Sequence, residues 1–163
     1  MFKVGIIISS DKGSKGERED LSGKAIEDII DSRGYNIIRK IVLPDEEKAL
    51  IKEMIYMADE LKADLILTSG GTGFSKRDVT PEATIKVCNR MANGISEAMR
   101  YYSLSITPRA MLSRGVSGIR NDTLIVNLPG SPKAVKESLD YAMDSIVHGL
   151  QILSGTDGEC ARK

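Results

Sequence analysis

The sequence predicts an α/β fold: a mostly parallel sheet covered by helices on both faces. Three observations carry this. Strand-like and helix-like segments alternate from the N-terminus with short connections, the pattern of parallel strands joined by right-handed crossovers. Lys3 to Ile8 and Ala63 to Thr68 are near-continuous apolar runs, as strands buried on both faces must be. Late in the chain, two strand-like runs meet at Asn121-Asp122, a hairpin that puts one antiparallel strand at the far side of the sheet.

Each element has its own signal. After the first strand a polar loop runs from Ser9 to Asp20. Gly23 to Arg33 then carries Ala25, Ile26, Ile29 and Ile30 on one helical face, with Gly34 as its stop. Tyr35 to Leu43 reads as the second strand, and Asp45 as the N-cap of a helix with acids in its first turn. The core face of that helix is Leu50, Met54, Met57, Ala58 and Leu61, where methionine serves as filler. The third strand leads into Gly70-Gly-Thr-Gly73, and Thr80 reads as N-cap of a helix over Pro81 to Met91 with Pro81 first. Gly94 to Ser103 is the next helix, and Arg109 to Ser113 allows one more turn. Gly115 to Arg120 and Thr123 to Asn127 are the hairpin strands. Ser131 then caps a final helix with a core stripe of Val135, Leu139, Ala142, Ile146 and Leu150. Residues 1–153 read as one domain and 154–163 as a polar, frayed tail.

Composition narrows the function classes. Lys plus Arg and Asp plus Glu are both 23, so no global charge favours nucleic acid or an anionic membrane, and anion recognition must be local. There is no apolar run long enough to span a bilayer, and the short run at Phe2 to Ile8 reads as a strand rather than a signal peptide. Cys88 and Cys160 have no metal-ligand or CxxC spacing, so free thiols in a reducing cytoplasm are expected. His148 is the single histidine, which excludes a multi-histidine metal site and makes its position near a helix end structural.

The chemistry gathers in the loops. Three glycines among Gly70 to Gly73 let the backbone turn tightly and bare its N–H groups, a cradle for phosphate at a strand end. Lys76, Arg77 and Asp78 follow before the helix. In an open parallel sheet, ligands bind beyond the carboxyl ends of the strands. Four loops leave in that direction: Ser9 to Asp20, Pro44-Asp45, the glycine loop and Pro129 to Pro132. Two of them end in the helix N-termini after Thr80 and Ser131, which suit anions. Asp45 and Asp78 sit on different loops of that rim, and carboxylates beside a phosphate cradle are the usual holders of Mg²⁺. Each acid also has a purely structural explanation, Asp45 as a cap and Asp78 as a partner of Arg77 or Lys76; their coincidence on one rim favours function. GxxxxGK[ST], GxGxxG after the first strand and GxSxG are all absent, which disfavours a P-loop NTPase, a nicotinamide dehydrogenase and an α/β-hydrolase.

Leu67-Thr-Ser-Gly-Gly-Thr-Gly73, Arg77-Asp-Val-Thr-Pro-Glu-Ala83 and Asn127-Leu-Pro-Gly-Ser-Pro-Lys133 together resemble the molybdopterin-binding family. The similarity is to its bacterial molybdopterin adenylyltransferase branch and to the gephyrin G domain, and it covers about residues 3 to 153. It implies a three-layer α/β/α sandwich, a homotrimer, and transfer of AMP from Mg-ATP to molybdopterin with release of pyrophosphate. It also implies a downstream enzyme that loads molybdate. Residue by residue, Asp45 and Asp78 match the essential, metal-holding carboxylates. Ser69, Gly70, Gly71, Thr72 and Gly73, with Pro129, Gly130 and Ser131, match the nucleotide and pterin phosphate sites. Ser10 and Asp11, taken with the substrate- and nucleotide-binding residues, and Asp20-Leu-Ser-Gly23 fit the family's first loop, but Lys12 to Glu19 between them is unusually charged for the family. A non-catalytic molybdopterin-binding protein is the alternative, and the presence of both Asp45 and Asp78 speaks against it. Met99, Tyr101, Tyr102 and Leu104 suit either a trimer interface or the core.

Overall fold

The computed structural model describes residues 1–156. Most of the proposed tail, with Cys160, lies outside the described residues. One six-stranded sheet has the order β2-β1-β3-β6-β5-β4. It comprises β1 (Lys3–Ser9), β2 (Asn36–Leu43), β3 (Leu65–Ser69), β4 (Arg90–Met91), β5 (Ser117–Arg120) and β6 (Thr123–Leu128). The pairs β1–β2, β1–β3 and β3–β6 are parallel. β5 runs antiparallel to both neighbours, so it alone is reversed. The Asn121-Asp122 hairpin is therefore where the turn chemistry put it, and Asn121 takes the positive φ of 52° that such a turn requires.

Helices cover both faces. α2 (Leu21–Ser32), α5 (Asn93–Leu104) and α6 (Pro132–Leu153) pack on one side; α3 (Glu47–Ile55) and α4 (Thr80–Val87) pack on the other. The strands divide their side chains by the two-residue period of a pleated backbone. Val4, Ile6, Ile8, Leu65, Leu67, Leu124, Val126 and Leu128 join the first core, while Ile7, Ile66 and Ile125 join the second. Nothing on β3 or β6 reaches solvent, which explains why the third strand reads as an apolar run without alternation. Met54 and Met57 are fully buried filler in the second core. The helix holding them loosens into a π turn at Tyr56–Glu60.

Four of the boundaries that differ from the sequence reading have a traceable cause, local for the first and longer-range for the other three. α2 starts at Leu21 rather than Gly23, because Asp20 caps it by accepting the Gly23 N–H at 2.8 Å. α3 has its N-cap at Glu46, with no side-chain cap bond, because the Asp45 carboxylate is engaged elsewhere. α4 includes Thr80 as its first residue, with Val79 before it, because the Thr80 N–H is taken by Gly71 O at 3.1 Å and its side chain is turned inward. α4 also stops at Val87 rather than Met91. Asn89 N–H donates to Ile119 O and Ala92 N–H to Ser117 O, which pulls Arg90–Met91 into the sheet as β4. A helical pattern in sequence cannot report a strand partner thirty residues away.

A short helix, α1 (Asp11–Ser14), occupies the first loop, and a 3₁₀ segment spans Pro108–Leu112. Among the described residues no helix is long and apolar enough to cross a membrane.

Candidate active site

The sheet order reverses between β1 and β3, since β1 connects to β2 on one side and β3 lies on the other. A crevice opens there beyond the carboxyl ends of the strands, as it does in open α/β sheets generally. Here it holds a cavity of about 610 Å³. All four anticipated loops contribute to its wall, through Ser10, Asp45, Ser69, Gly70, Gly71, Asp78, Gly130 and Ser131.

The glycine loop has the backbone its composition implies. Gly70 and Gly71 take φ of +92° and +66°, a conformation that L side chains rarely adopt. Space is equally restrictive. A Cβ at Gly70 would sit 2.4 Å from Ser9 O at the end of β1. One at Gly71 would meet Thr80 Oγ1 at 2.4 Å, Ser9 Oγ at 3.0 Å and Asp45 Oδ1 at 3.4 Å. The N–H groups of Gly71 and Gly130 donate no hydrogen bond within the described residues, which leaves them for an anion in the cavity.

The two carboxylates are held differently. Asp45 accepts Ser9 Oγ–H at 2.6 Å on one oxygen and the Asp11 N–H at 3.0 Å on the other. It is thus oriented from β1 rather than spent as a helix cap. Asp78 accepts the Ser75 N–H at 2.9 Å within its own loop. Neither acid forms an ion pair among the described residues. Arg77, one of the two cations that a purely structural role for Asp78 would have used, turns away and grips Asp11 in a two-pronged pair at 2.8 and 2.9 Å. That guanidinium, together with the Asp45 N–H, holds the Asp11 carboxyl down at about 2. Asp11 is therefore committed to linking three loops and does not line the cavity.

Thr72 and Gly73 also stand back from it. Thr72 is buried and its carbonyl accepts the Arg114 N–H. Pro129 accepts Ser69 Oγ–H at 2.6 Å and faces a smaller neighbouring cavity of about 220 Å³. Of the two helix N-termini expected at the cavity, that of α6 is present, with Ser131 capping Ala134 N–H. The start of α4 is not; its place is taken by the start of α2, through Asp20, Leu21 and Ser22. The Asp-three-before-Gly23 spacing was the signal for that cap. Among the described residues Arg18, from the charged first-loop insert, is the one cation on the cavity wall. Ser9 and Arg114 went unnoticed as site residues, because only long-range contacts give them a role.

Two carboxylates free of cation partners, on two different loops of one cavity that also presents bare amides, are hard oxygen donors suited to Mg²⁺ carried in by a polyphosphate. No cluster of three or more His, Cys, Asp or Glu that could hold a metal by itself occurs among the described residues, so the remaining ligands would come from substrate and water.

Residues 5–148 match the family described as "Probable molybdopterin binding domain". The chain belongs to the molybdopterin-binding family. A molybdopterin adenylyltransferase from Helicobacter pylori is 44% identical over 93% of this chain and 88% of its own length. Gephyrin from Dictyostelium discoideum is 43% identical over 93% of this chain, which spans only 22% of that protein. Among solved structures, the molybdopterin biosynthesis enzyme MoaB of Thermus thermophilus superposes with a TM-score of 0.90 at 44% identity, over 95% of this chain and 98% of that one. The three-layer sandwich with its single reversed strand is thus the architecture of the molybdopterin-binding family.

Proposed function

We propose that the protein transfers AMP from Mg-ATP to the terminal phosphate of molybdopterin and releases pyrophosphate. The coarser part rests on kinship: with adenylyltransferases 38–44% identical over most of the chain, this is a nucleotidyltransferase of molybdenum cofactor biosynthesis that adenylylates molybdopterin. For the finer part the supporting observation is the pair Asp45 and Asp78, unpaired by cations and facing one cavity with the bare Gly71 and Gly130 amides.

In the proposed reaction a phosphate oxygen of molybdopterin bonds to the α-phosphorus while the α–β bridging bond breaks. Such transfers need positioning and charge stabilisation more than a protein nucleophile. Gly70 and Gly71 bring the backbone close enough for N–H groups to meet phosphate oxygens, and the α2 and α6 N-termini add their positive ends. Ser9 and the Asp11 N–H fix the Asp45 carboxylate before substrate arrives. Asp45 and Asp78 would hold Mg²⁺, which supplies neutralisation of charge on the leaving pyrophosphate. Among the described residues neither histidine nor thiol lies on the cavity wall, and direct transfer needs neither.

Assembly as a homotrimer and hand-over to a molybdate-inserting enzyme belong to the same proposal. Met99 is core, whereas Tyr102 is half-buried and stacks on the exposed Tyr141 at 4.3 Å. Tyr101 at 78% exposure and Leu104 at 40% are free to meet another copy. The deciding experiment is an anaerobic assay of purified protein with ATP, Mg²⁺ and molybdopterin. Adenylylated molybdopterin and pyrophosphate in equal amounts are expected. Binding of molybdopterin with no product and no heat of Mg-ATP binding would make the protein a pterin carrier instead.

A further inference from the structure

We infer that Arg114 is a positioning residue for the adenylyl-transfer site: its guanidinium, arriving from the strand side, fixes the segment that carries Gly73 and Asp78. The inference deepens the proposed function and rests on it. Arg114 precedes β5 and belongs to neither the glycine loop nor α4. Its Nε donates to Gly73 O at 2.7 Å and one terminal nitrogen to Asp78 O at 2.7 Å. The other terminal nitrogen pairs with Glu82 in the first turn of α4, and its backbone N–H donates to Thr72 O at 2.8 Å. One side chain therefore joins the exit of the glycine loop, the backbone of the metal-holding acid and the helix that follows.

What makes this more than a surface staple is how little else holds the segment. Among the described residues the Asp78 carboxylate has only the Ser75 N–H as partner, inside the same loop, so its place is set by its backbone. The hydrogen bonds that tie residues 73–78 to the rest of the described chain come from Arg114 and from the exposed Arg77–Asp11 pair. Arg77 anchors the loop toward β1, and Arg114 anchors it toward β5 and α4. A planar fork with several fixed donors can satisfy three divergent acceptors at once, which a lysine ammonium on a flexible stem cannot do.

The test compares the wild type with Arg114→Ala and Arg114→Lys. Arg114→Ala should fold, lose about 100-fold in kcat as a roughly 1 Å misplacement does, and leave KM for ATP nearly unchanged. Mn²⁺ bound in the presence of ATP, followed by electron paramagnetic resonance, should weaken severalfold in the same variant. Millimolar guanidinium should restore part of its kcat and leave the wild type unaffected. Arg114→Lys should resemble Arg114→Ala, and it carries the test should Arg114→Ala fail to fold. A variant with a lower melting temperature but wild-type kcat and Mn²⁺ affinity would overturn the inference and leave Arg114 a stabilising residue only. If the wild type itself makes no product, the adenylylation reading fails separately, and the inference stands or falls on the Mn²⁺ titration.

Discussion

Gly71→Ala is the perturbation whose size the structure fixes best. Gly71 has φ of +66°, and forcing an L side chain into that region costs about 1–2 kcal/mol. The new methyl would also lie 2.4 Å from Thr80 Oγ1 and 3.0 Å from Ser9 Oγ. Thr80 is fully buried at the head of α4 and cannot swing away, and overpacking of this kind costs about 1–3 kcal/mol. The two effects act together, giving a destabilisation of about 2–5 kcal/mol, or about 4–20 °C in melting temperature for a chain of this size. Thermal unfolding followed by circular dichroism measures it. Gly149→Ala is the control: this glycine lies inside α6 with nothing within 4 Å of its Cβ position, so alanine should stabilise by up to about 1 kcal/mol. Activity should fall further in Gly71→Ala than stability alone explains, because the displaced Ser9 hydroxyl orients Asp45. An unchanged melting temperature together with wild-type turnover would refute the argument that this loop is sterically closed to side chains.

The Arg77–Asp11 pair predicts an acid-limb effect. The folded Asp11 carboxyl titrates at about 2, below its usual 3.8, because Arg77 and the Asp45 N–H stabilise its charged form. Its contribution to stability is therefore complete above about pH 4 and is lost as pH falls toward 2. Arg77→Met should move the Asp11 carboxyl back up in a carbon-detected NMR titration and flatten that limb of the stability curve. Burial pushes the Cys88 thiol up to about 11, so it should resist iodoacetamide at pH 8 while the protein is folded and react at once in denaturant.

Much of this was legible in the chain, for identifiable reasons. The strands buried on both faces announced themselves as apolar runs, and the hairpin at Asn121 as a turn dipeptide, because those signals are local. The same is true of Ser131 as a cap and of Gly70 and Gly71 as a bare turn. Thr80 does not cap α4 because its backbone N–H is taken by Gly71 O and its hydroxyl is buried without a hydrogen-bond partner among the described residues. Asp45 does not cap α3 because its carboxylate accepts from Ser9 and Asp11, far away in the sequence. β4 was hidden for the same reason: Arg90 and Met91 become a strand only because β5 is beside them. Arg114 has no local signal at all, because its work is visible only as three hydrogen-bond acceptors on two other segments.

The account turns on Asp78 as a carboxylate free of cation partners and so open to a metal ion. Asp78→Asn preserves size and can still accept the Ser75 N–H, so the fold and its melting temperature should hold. In the anaerobic assay with ATP, Mg²⁺ and molybdopterin, formation of adenylylated molybdopterin should fall by about two orders of magnitude or more. Product formation by folded Asp78→Asn at close to the wild-type rate would contradict the account.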